Sequence, residues 1–207
     1  MLIHGKMERS GANGPGERAV IWTQGCNLGC KGCQNPETHK FLSVNEKDVY
    51  GLVDWVLGID GIEGLTLSGG EPMQQVDSLF LLVTLIHEKR PNLSIGMFTG
   101  YTEKELEGGR WRWHSRVTGD WLKGDGAIWA EIKKHLDFAI MGRYNQLVRS
   151  NDKPLCGSRN QEVIFFTNRY SQKDLKPTMV EFEIDSDLVT ITGFPPPEEE
   201  IGDPVHA

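Results

Sequence analysis

The chain has few cysteines, no excess of basic residues and no long apolar run. Among its 207 residues there are four cysteines, and 22 Lys and Arg stand against 29 Asp and Glu, for a net charge of −7. A nucleic-acid-binding protein needs a basic face, and a membrane span needs roughly 20 consecutive apolar residues. We therefore expect neither nucleic acid nor a membrane as a partner.

A secretory signal is also missing from the N-terminal residues, since MLIHGKMERSGANGPGER has no apolar core. We expect the protein to be cytoplasmic. In that reducing compartment, clustered cysteines indicate metal ligands or redox groups rather than disulfides. The length fits one well-filled domain with a short extension.

Three of the four cysteines lie close together in the stretch QGCNLGCKGCQNP. Cys26, Cys30 and Cys33 have the spacing C-x3-C-x2-C, whereas Cys156 lies far along the chain. A cubane iron-sulfur cluster is normally held by four thiolates, so three thiolates leave one iron open to another ligand. The alternative is a zinc site with Cys156 or His39 as the fourth ligand.

Strands and helices alternate through the first two thirds of the chain. Composition and periodicity predict strands at 18–23, 64–68, 94–99 and 138–141, helices at 45–57, 74–89 and 127–135, and a short helical segment at 102–107. This alternation implies parallel strand pairing. Residues 108–125, rich in Trp and Arg, are predicted to form an irregular insertion.

The C-terminal third has a different pattern. Strands are predicted at 162–166, 180–184 and 188–192, and the sequence DSD is predicted to form a hairpin turn between the last two. The Pro-rich acidic tail FPPPEEEIGDPVHA is predicted to be solvated and mobile.

A second motif, LSGGEP, lies between a predicted strand and a predicted helix. Its two glycines allow the backbone to approach a ligand closely and to present its amides and carbonyls. A lone GG turn is weak evidence of function, but its position one strand and one helix after the cysteine triplet makes the pair of motifs specific.

Together the two motifs resemble the radical S-adenosylmethionine (SAM) superfamily. The resemblance implies that Cys26, Cys30 and Cys33 hold a [4Fe-4S] cluster and that SAM chelates the open iron. It also implies that the reduced cluster cleaves SAM to methionine and a 5'-deoxyadenosyl radical, which abstracts a hydrogen. No catalytic residue is expected beyond the cluster and the cofactor.

The same resemblance implies a set of cofactor-binding residues. They lie around the third cysteine, in the GGEP turn and at the end of the third predicted strand: Gly32, Cys33, Gln34, Ser68, Gly69, Gly70, Glu71, Thr99 and Gly100.

The motifs NGPGER, CKGCQNPET, FTGYTEKEL and GSRNQ are similar to the activating protein of anaerobic ribonucleotide reductase. They occur in that family's order over most of residues 11–166. The resemblance implies a glycyl-radical enzyme as protein substrate and an external flavodoxin or ferredoxin as electron donor. The chain differs in having Asn13 where the activases tend to have Asp, Cys156 where they have Arg, and the insertion and C-terminal strands.

The expected fold is α/β, a partial (βα) barrel of the radical SAM type with a small C-terminal β extension. We expect the barrel domain at residues 1–166, and the β-hairpin extension with its flexible acidic tail at 167–207. The cluster and cofactor are expected at the C-terminal ends of the parallel strands, with the open side free to admit a partner loop.

Two other functions stay open. One is a radical SAM enzyme that modifies a small metabolite or peptide, such as 7-carboxy-7-deazaguanine synthase, and the other is a zinc-stabilised binding module.

Alternatives also stay open for individual residues. For Cys156 they are a fourth cluster ligand, a relay thiol and a small buried residue. Trp111, Trp113 and Trp121 form a docking surface or pack internally. Arg143 binds a carboxylate of the cofactor or partner, or forms a surface salt bridge.

Overall fold

The structure is a computed structural model that describes residues 1–42, 46–176, 180–184 and 189–194. In chain order the strands are β1 (Ile3–Ser10), β2 (Arg18–Thr23), β3 (Gly64–Gly69), β4 (Ser94–Thr99), β5 (Arg112–His114), β6 (Trp121–Lys123), β7 (Phe138–Met141), β8 (Glu162–Phe165), β9 (Val180–Ile184) and β10 (Val189–Gly193). The α-helices are α1 (Val49–Leu57), α2 (Val76–Lys89), α3 (Glu103–Glu107) and α4 (Gly126–Lys133).

The main sheet has six strands in the order β1-β2-β3-β4-β7-β8. The four central strands, β2, β3, β4 and β7, run parallel, whereas β1 and β8 pair antiparallel at the two edges. The predicted parallel α/β sheet is confirmed. The antiparallel edge strand β1 was not predicted.

The strands predicted in the first two thirds of the chain all form, with bounds that differ by at most one residue. Ala19, Val20 and Ile21 of β2 are fully buried, because a central strand of a parallel sheet is covered on both faces. The parallel register aligns the carboxyl ends of the central strands, so that Thr23 pairs with Gly69, and Thr99 with Met141.

Two predicted helices begin later than expected, because capping groups fix their start. In α1 the side chain of Asp48 accepts a hydrogen bond from Gly51 N at 3.0 Å, so the α-helix begins at Val49. Before α2, the residues Pro72–Gln75 form a short 3-10 helix that Glu71 caps. The apolar face predicted for α2 is completely buried.

The insertion is not irregular, because β5 and β6 pair antiparallel with Trp113 opposite Leu122. Strands of three residues are too short to show an alternating pattern, which explains the wrong prediction. The predicted strand at 180–184 is observed as β9, and β10 is displaced by one residue from its predicted position. The DSD turn and the acidic tail beyond Phe194 lie outside the described residues.

The largest apolar core lies between the main sheet and the helices. It contains the buried faces of α1, α2 and α4 together with Trp111 of the insertion. A smaller cluster, on β7 and the segments that follow it, contains Phe138, Ile140 and Cys156. Of the helices in the described ranges, none is long and apolar enough to cross a membrane.

Candidate active site

A cavity of about 730 Å³ opens at the carboxyl ends of β2, β3 and β4. This size is in the range of roughly 300–1,000 Å³ that is typical of small-molecule sites. Cys26, Cys30 and Cys33 all line it, although they belong to a loop rather than to the sheet. The cavity lies where α/β proteins usually bind their ligands.

Backbone hydrogen bonds hold the cysteine loop in place. Gly25 N donates to the carbonyl oxygen of Thr38 at 2.7 Å, and Cys26 N donates to that of His39 at 3.0 Å. Cys33 N donates to Cys30 O at 3.3 Å, which closes a tight turn between these two thiols. His39 therefore supports the loop through its backbone, and it is also one of the residues that line the cavity.

All three thiols are partly buried, and burial raises the pKa of each. The pKa of Cys26 rises to about 12, first because of lost solvation and then because of the negative charge of Glu71. Metal ions bind thiolates, so a metal centre at this loop has to displace the thiol protons.

The arrangement of donors suits a cluster. Within the described ranges, no three His, Cys, Asp or Glu side chains converge closely enough to hold a single metal ion. Iron-sulfur clusters are held by cysteine thiolates, and all three cysteines of the loop line the cavity. Cys156 is buried and is not among the described residues that line the cavity. The donor set therefore fits a cluster held by three thiolates.

The two glycines of the GGEP turn are required by packing. Gly69 has φ +92°, and a Cβ at this position would lie 2.6 Å from the backbone nitrogen of Thr23. A Cβ on Gly70 would lie 2.5 Å from the carbonyl oxygen of Gly25. Gly70 N donates to Thr23 O at 2.8 Å. The turn therefore lies directly against the start of the cysteine loop. The sequence analysis expected the two glycines to allow close approach to a ligand, and the structure shows that they allow close approach to the backbone of this loop.

Glu71 is buried and joins the ends of two strands. Its Oε1 accepts from Met73 N at 3.0 Å and from Thr99 Oγ1 at 2.8 Å, and its Oε2 accepts from Gly100 N at 2.7 Å. Burial raises the pKa of Glu71 to about 7 despite these hydrogen bonds. The carboxylate thus fixes the GGEP turn relative to the end of β4.

The structure brings most of the predicted site residues to this one cavity. Its wall contains Cys26, Cys30, Cys33, Gln34, Ser68, Gly69, Gly70, Glu71, Thr99 and Gly100. Gly32 is exposed and does not line the cavity; its φ is +69°, and a Cβ there would meet the side chain of Gln146. The roles of these residues remain predictions.

Sequence reasoning missed a second set of residues that line the cavity. This set contains residues of β1 and β10 together with Phe98, Ile140 and Phe194. Asn13, which differs from the activase pattern, donates through Nδ2 to Thr192 Oγ1 at 2.9 Å and so ties β10 to the rest of the protein. In the sequence, the only feature that pointed to these residues was Asn13, which differs from the activase pattern.

The alternatives for the insertion and for Arg143 are now distinguished by their contacts. Trp111 is buried and its Nε1 donates to Leu106 O at 3.2 Å, and Trp113 packs against the main core. The Trp111 and Trp113 rings therefore pack internally, whereas Trp121 is half-buried and contacts the ring of Phe41. Arg143 Nη1 donates to both carboxylate oxygens of Glu105, at 2.8 and 2.9 Å, and so forms a salt bridge with its own chain.

The fold and the cavity define an α/β protein with three cysteines at the carboxyl edge of a parallel sheet. The family model described as the 4Fe-4S single cluster domain matches residues 12–164. The chain belongs to this family and thus to the radical SAM enzymes, whose cofactors are a [4Fe-4S] cluster and S-adenosylmethionine.

Several curated proteins are similar to parts of the chain. The anaerobic ribonucleoside-triphosphate reductase-activating protein of Vibrio cholerae is 34% identical over 104 residues, which are 46% of this chain and 65% of that protein. The corresponding protein of Pasteurella multocida is 29% identical over 161 residues, 75% of this chain and 91% of that protein. The pyruvate formate-lyase-activating enzyme of Listeria monocytogenes is 34% identical over 88 residues, 40% of this chain and 36% of that enzyme.

The chain spans less than two thirds of the Vibrio and Listeria proteins. Among solved structures, QueE from Escherichia coli matches 49% of this chain and 49% of its own, with 20% identity and a TM-score of 0.33. A similarity at that level does not define a shared fold.

Proposed function

We propose that this protein is a glycyl-radical-activating enzyme that removes a hydrogen from a glycine Cα of an anaerobic ribonucleotide reductase-like partner. The observation that carries the proposal is the convergence of the cysteine triplet and the GGEP turn on one cavity. The similarity to activating proteins of two glycyl-radical systems supports it.

In this proposal Cys26, Cys30 and Cys33 hold the cluster. When bound, the cluster supplies the electron that cleaves SAM to methionine and a 5'-deoxyadenosyl radical. The segment 68–71 is proposed to surround the methionine part of the cofactor, and the backbone around Cys33 and Gln34 is proposed to contact the cofactor as well. Glu71 holds the ends of β3 and β4 at a fixed separation through Thr99 and Gly100, so the two cofactor-binding segments keep their relative position.

The protein substrate is proposed to enter beside the cofactor. The apolar side chains of Phe98, Ile140 and Phe194 also line the cavity, and we propose that a segment of the partner packs against them. The described residues contain one cysteine triplet, so we propose that an external flavodoxin or ferredoxin provides the electron.

We also propose the finer fold assignment. The six-stranded sheet, with four parallel strands and unpaired outer edges in the described ranges, suits a partial barrel of the radical SAM type. The division into a barrel domain at 1–166 and a C-terminal extension at 167–207 is proposed on the same basis, since β9 and β10 form a separate two-stranded sheet.

Reconstitution with iron and sulfide under anaerobic conditions tests the chemistry. Reduction with dithionite in the presence of SAM is expected to yield 5'-deoxyadenosine in the wild type and in Cys156→Ser, but not in Cys26→Ser. Equal yields in the two variants would contradict the assignment of the ligands. Colourless wild-type protein that carries zinc and forms no 5'-deoxyadenosine would instead support the zinc-stabilised binding module.

The partner requires a second measurement. The reduced enzyme, SAM and an anaerobic ribonucleotide reductase are mixed, and a glycyl-radical doublet is sought by electron paramagnetic resonance. A doublet is expected only when all three components are present. Formation of 5'-deoxyadenosine without a doublet on the reductase would leave the radical SAM chemistry intact and refute this partner.

A further inference from the structure

Two successive buried glutamines contact the cysteine loop on the two sides of Cys26. Gln74 and Gln75 end the short 3-10 helix after the GGEP turn, and they are 0% and 1% exposed. Neither was among the predicted site residues. A buried amide is costly unless its donors and acceptor are all paired, so the partners of these two side chains show what they hold.

Gln74 pairs with the residue that follows Cys26. Its Oε1 accepts from the backbone nitrogen of Asn27 at 3.1 Å, and its Nε2 donates to Asn27 Oδ1 at 2.5 Å. Two hydrogen bonds to the same residue fix both its backbone and its side chain. Asn27 is exposed, so its position depends on this pairing more than on packing.

Gln75 contacts the chain on the other side of Cys26. Its Nε2 donates to the carbonyl oxygens of Gln24 and Leu2, both at 3.0 Å, and its Oε1 accepts from Leu2 N at 2.7 Å. The loop is thus held before Cys26 by Gln75 and after it by Gln74. Both anchors belong to the helix that immediately follows the GGEP turn.

The insertion at 108–125 contacts Gln74 indirectly, through Tyr101. Gln74 Nε2 donates a second hydrogen bond to Tyr101 Oη at 3.1 Å, and Tyr101 Oη donates to the carbonyl oxygen of Arg112 in β5 at 3.5 Å. A ring contact adds to this support, since Phe41 lies edge-on to Trp121 of β6 with centroids 5.3 Å apart. A Cβ on Gly25 would meet the Phe41 ring.

We infer that Gln74 is a positioning residue that fixes Cys26 through Asn27, and that the insertion hairpin keeps Gln74 in place through Tyr101. The inference rests on the proposed role of Cys26 as a cluster ligand. Its physical basis is preorganisation: a loop that already has the bound conformation loses less entropy when it closes around the cluster. The insertion, which sequence reasoning left without a role, then acts on the metal loop.

The reactivity of the individual thiols in the metal-free, reduced protein tests the inference. Each cysteine is alkylated with iodoacetamide, and its rate is followed by peptide mass spectrometry in the wild type, Gln74→Met and Asn27→Ala. Gln172→Met is the matched control, because Gln172 is exposed and lies in another short 3-10 helix.

We expect Cys26 to react about tenfold faster in Gln74→Met, because the loss of the two hydrogen bonds to Asn27 lets the loop open more often. A smaller increase is expected in Asn27→Ala, which keeps the backbone donor. Cys33 and the buried Cys156 serve as internal references and are expected to keep their wild-type rates in every variant. The reconstituted Gln74→Met protein is also expected to lose iron to a chelator faster than the wild type.

Equal acceleration of all four cysteines would overturn the inference, because it would indicate general destabilisation. An unchanged Cys26 rate in Gln74→Met would overturn it as well. If Gln74→Met does not fold, the exposed Asn27→Ala substitution decides by the same criteria. A wild-type protein that takes up no iron would refute the proposed function but would leave the thiol rates, and hence the positioning of Cys26, as a separate result.

Discussion

Replacement of Arg18 is expected to destabilise the fold while leaving the cysteine site intact. Arg18 begins β2, and its side chain is fully buried. Its donors reach Thr66 Oγ1 at 2.7 Å and the carbonyl oxygens of Leu65 at 2.9 Å and Pro15 at 3.1 Å. The ring of Phe138 lies 5.0 Å away.

Two opposing effects decide the magnitude. Burial lowers the pKa of Arg18, so the charged group is itself costly to desolvate. Removing it, however, leaves several buried acceptors without their donor, at about 1–3 kcal/mol each. The negative charge of Glu63 also stabilises the charged form of Arg18. Glu63 Oε1 accepts a hydrogen bond from Tyr170 Oη at 2.6 Å, and Tyr170 lies beside the guanidinium. We expect the cost of the unpaired acceptors to exceed the gain from removing the buried charge, so that replacing Arg18 lowers the free energy of unfolding by about 3 kcal/mol.

The variants Arg18→Met and Arg18→Lys separate these effects. Met keeps the volume and removes every donor, whereas Lys keeps the charge and loses the planar fork. Urea unfolding of the metal-free protein gives the free energies, and a thermal shift of roughly 6–12 °C is expected for Arg18→Met. Arg9→Met is the control, because Arg9 forms an exposed ion pair with Glu17 at 2.8 Å and such a pair contributes about 0–1 kcal/mol.

The reasoning is refuted if Arg18→Met is as stable as Arg9→Met. Iron uptake by the folded fraction is a second criterion. Arg18 and Thr23 lie at opposite ends of β2, about 16 Å apart, and the cavity is at the end with Thr23. Uptake is therefore expected to equal that of the wild type.

Three further predictions concern the cavity wall. The pKa of Glu71 is raised from 4.5 to about 7 in the folded protein, so the folded state holds this proton more tightly than the unfolded state. The resulting stabilisation is fully present below pH 4.5 and is lost as the pH rises to about 7. Urea unfolding should therefore show that the free energy of unfolding declines by up to about 3 kcal/mol over this range, and the decline should be absent in Glu71→Gln. Gly69→Ala should cost more than about 2 kcal/mol, whereas Gly119→Ala, with φ +78° and nothing within 4 Å of its Cβ, should cost only about 1 kcal/mol of strain; equal losses would exclude the close packing of Gly69 as the cause. Asn13→Ala removes the hydrogen bond to Thr192, so amide exchange in β10 should accelerate roughly tenfold while β2 stays protected; unchanged exchange in β10 would show that Asn13 does not anchor it.

The strands and helices of the first two thirds could be predicted because their signals are local. The buried strand Arg18–Thr23 has a β-branched and aromatic composition, and the apolar face of α2 repeats at helical spacing. The two helix starts were placed too early because capping by Asp48 and Glu71 depends on side-chain contacts. The pair β5 and β6 was missed because three-residue strands carry too little pattern.

The sequence by itself determined the spacing of the cysteine triplet, the GGEP turn and the parallel pairing of the central strands, because spacing and periodicity record them within short segments. Only the tertiary structure decided which residues support the site. Gln74 and Asn27 are 47 positions apart, and Asn13 and Thr192 are 179 apart. No local pattern encodes such pairs, because each depends on how the whole sheet brings distant loops to one edge.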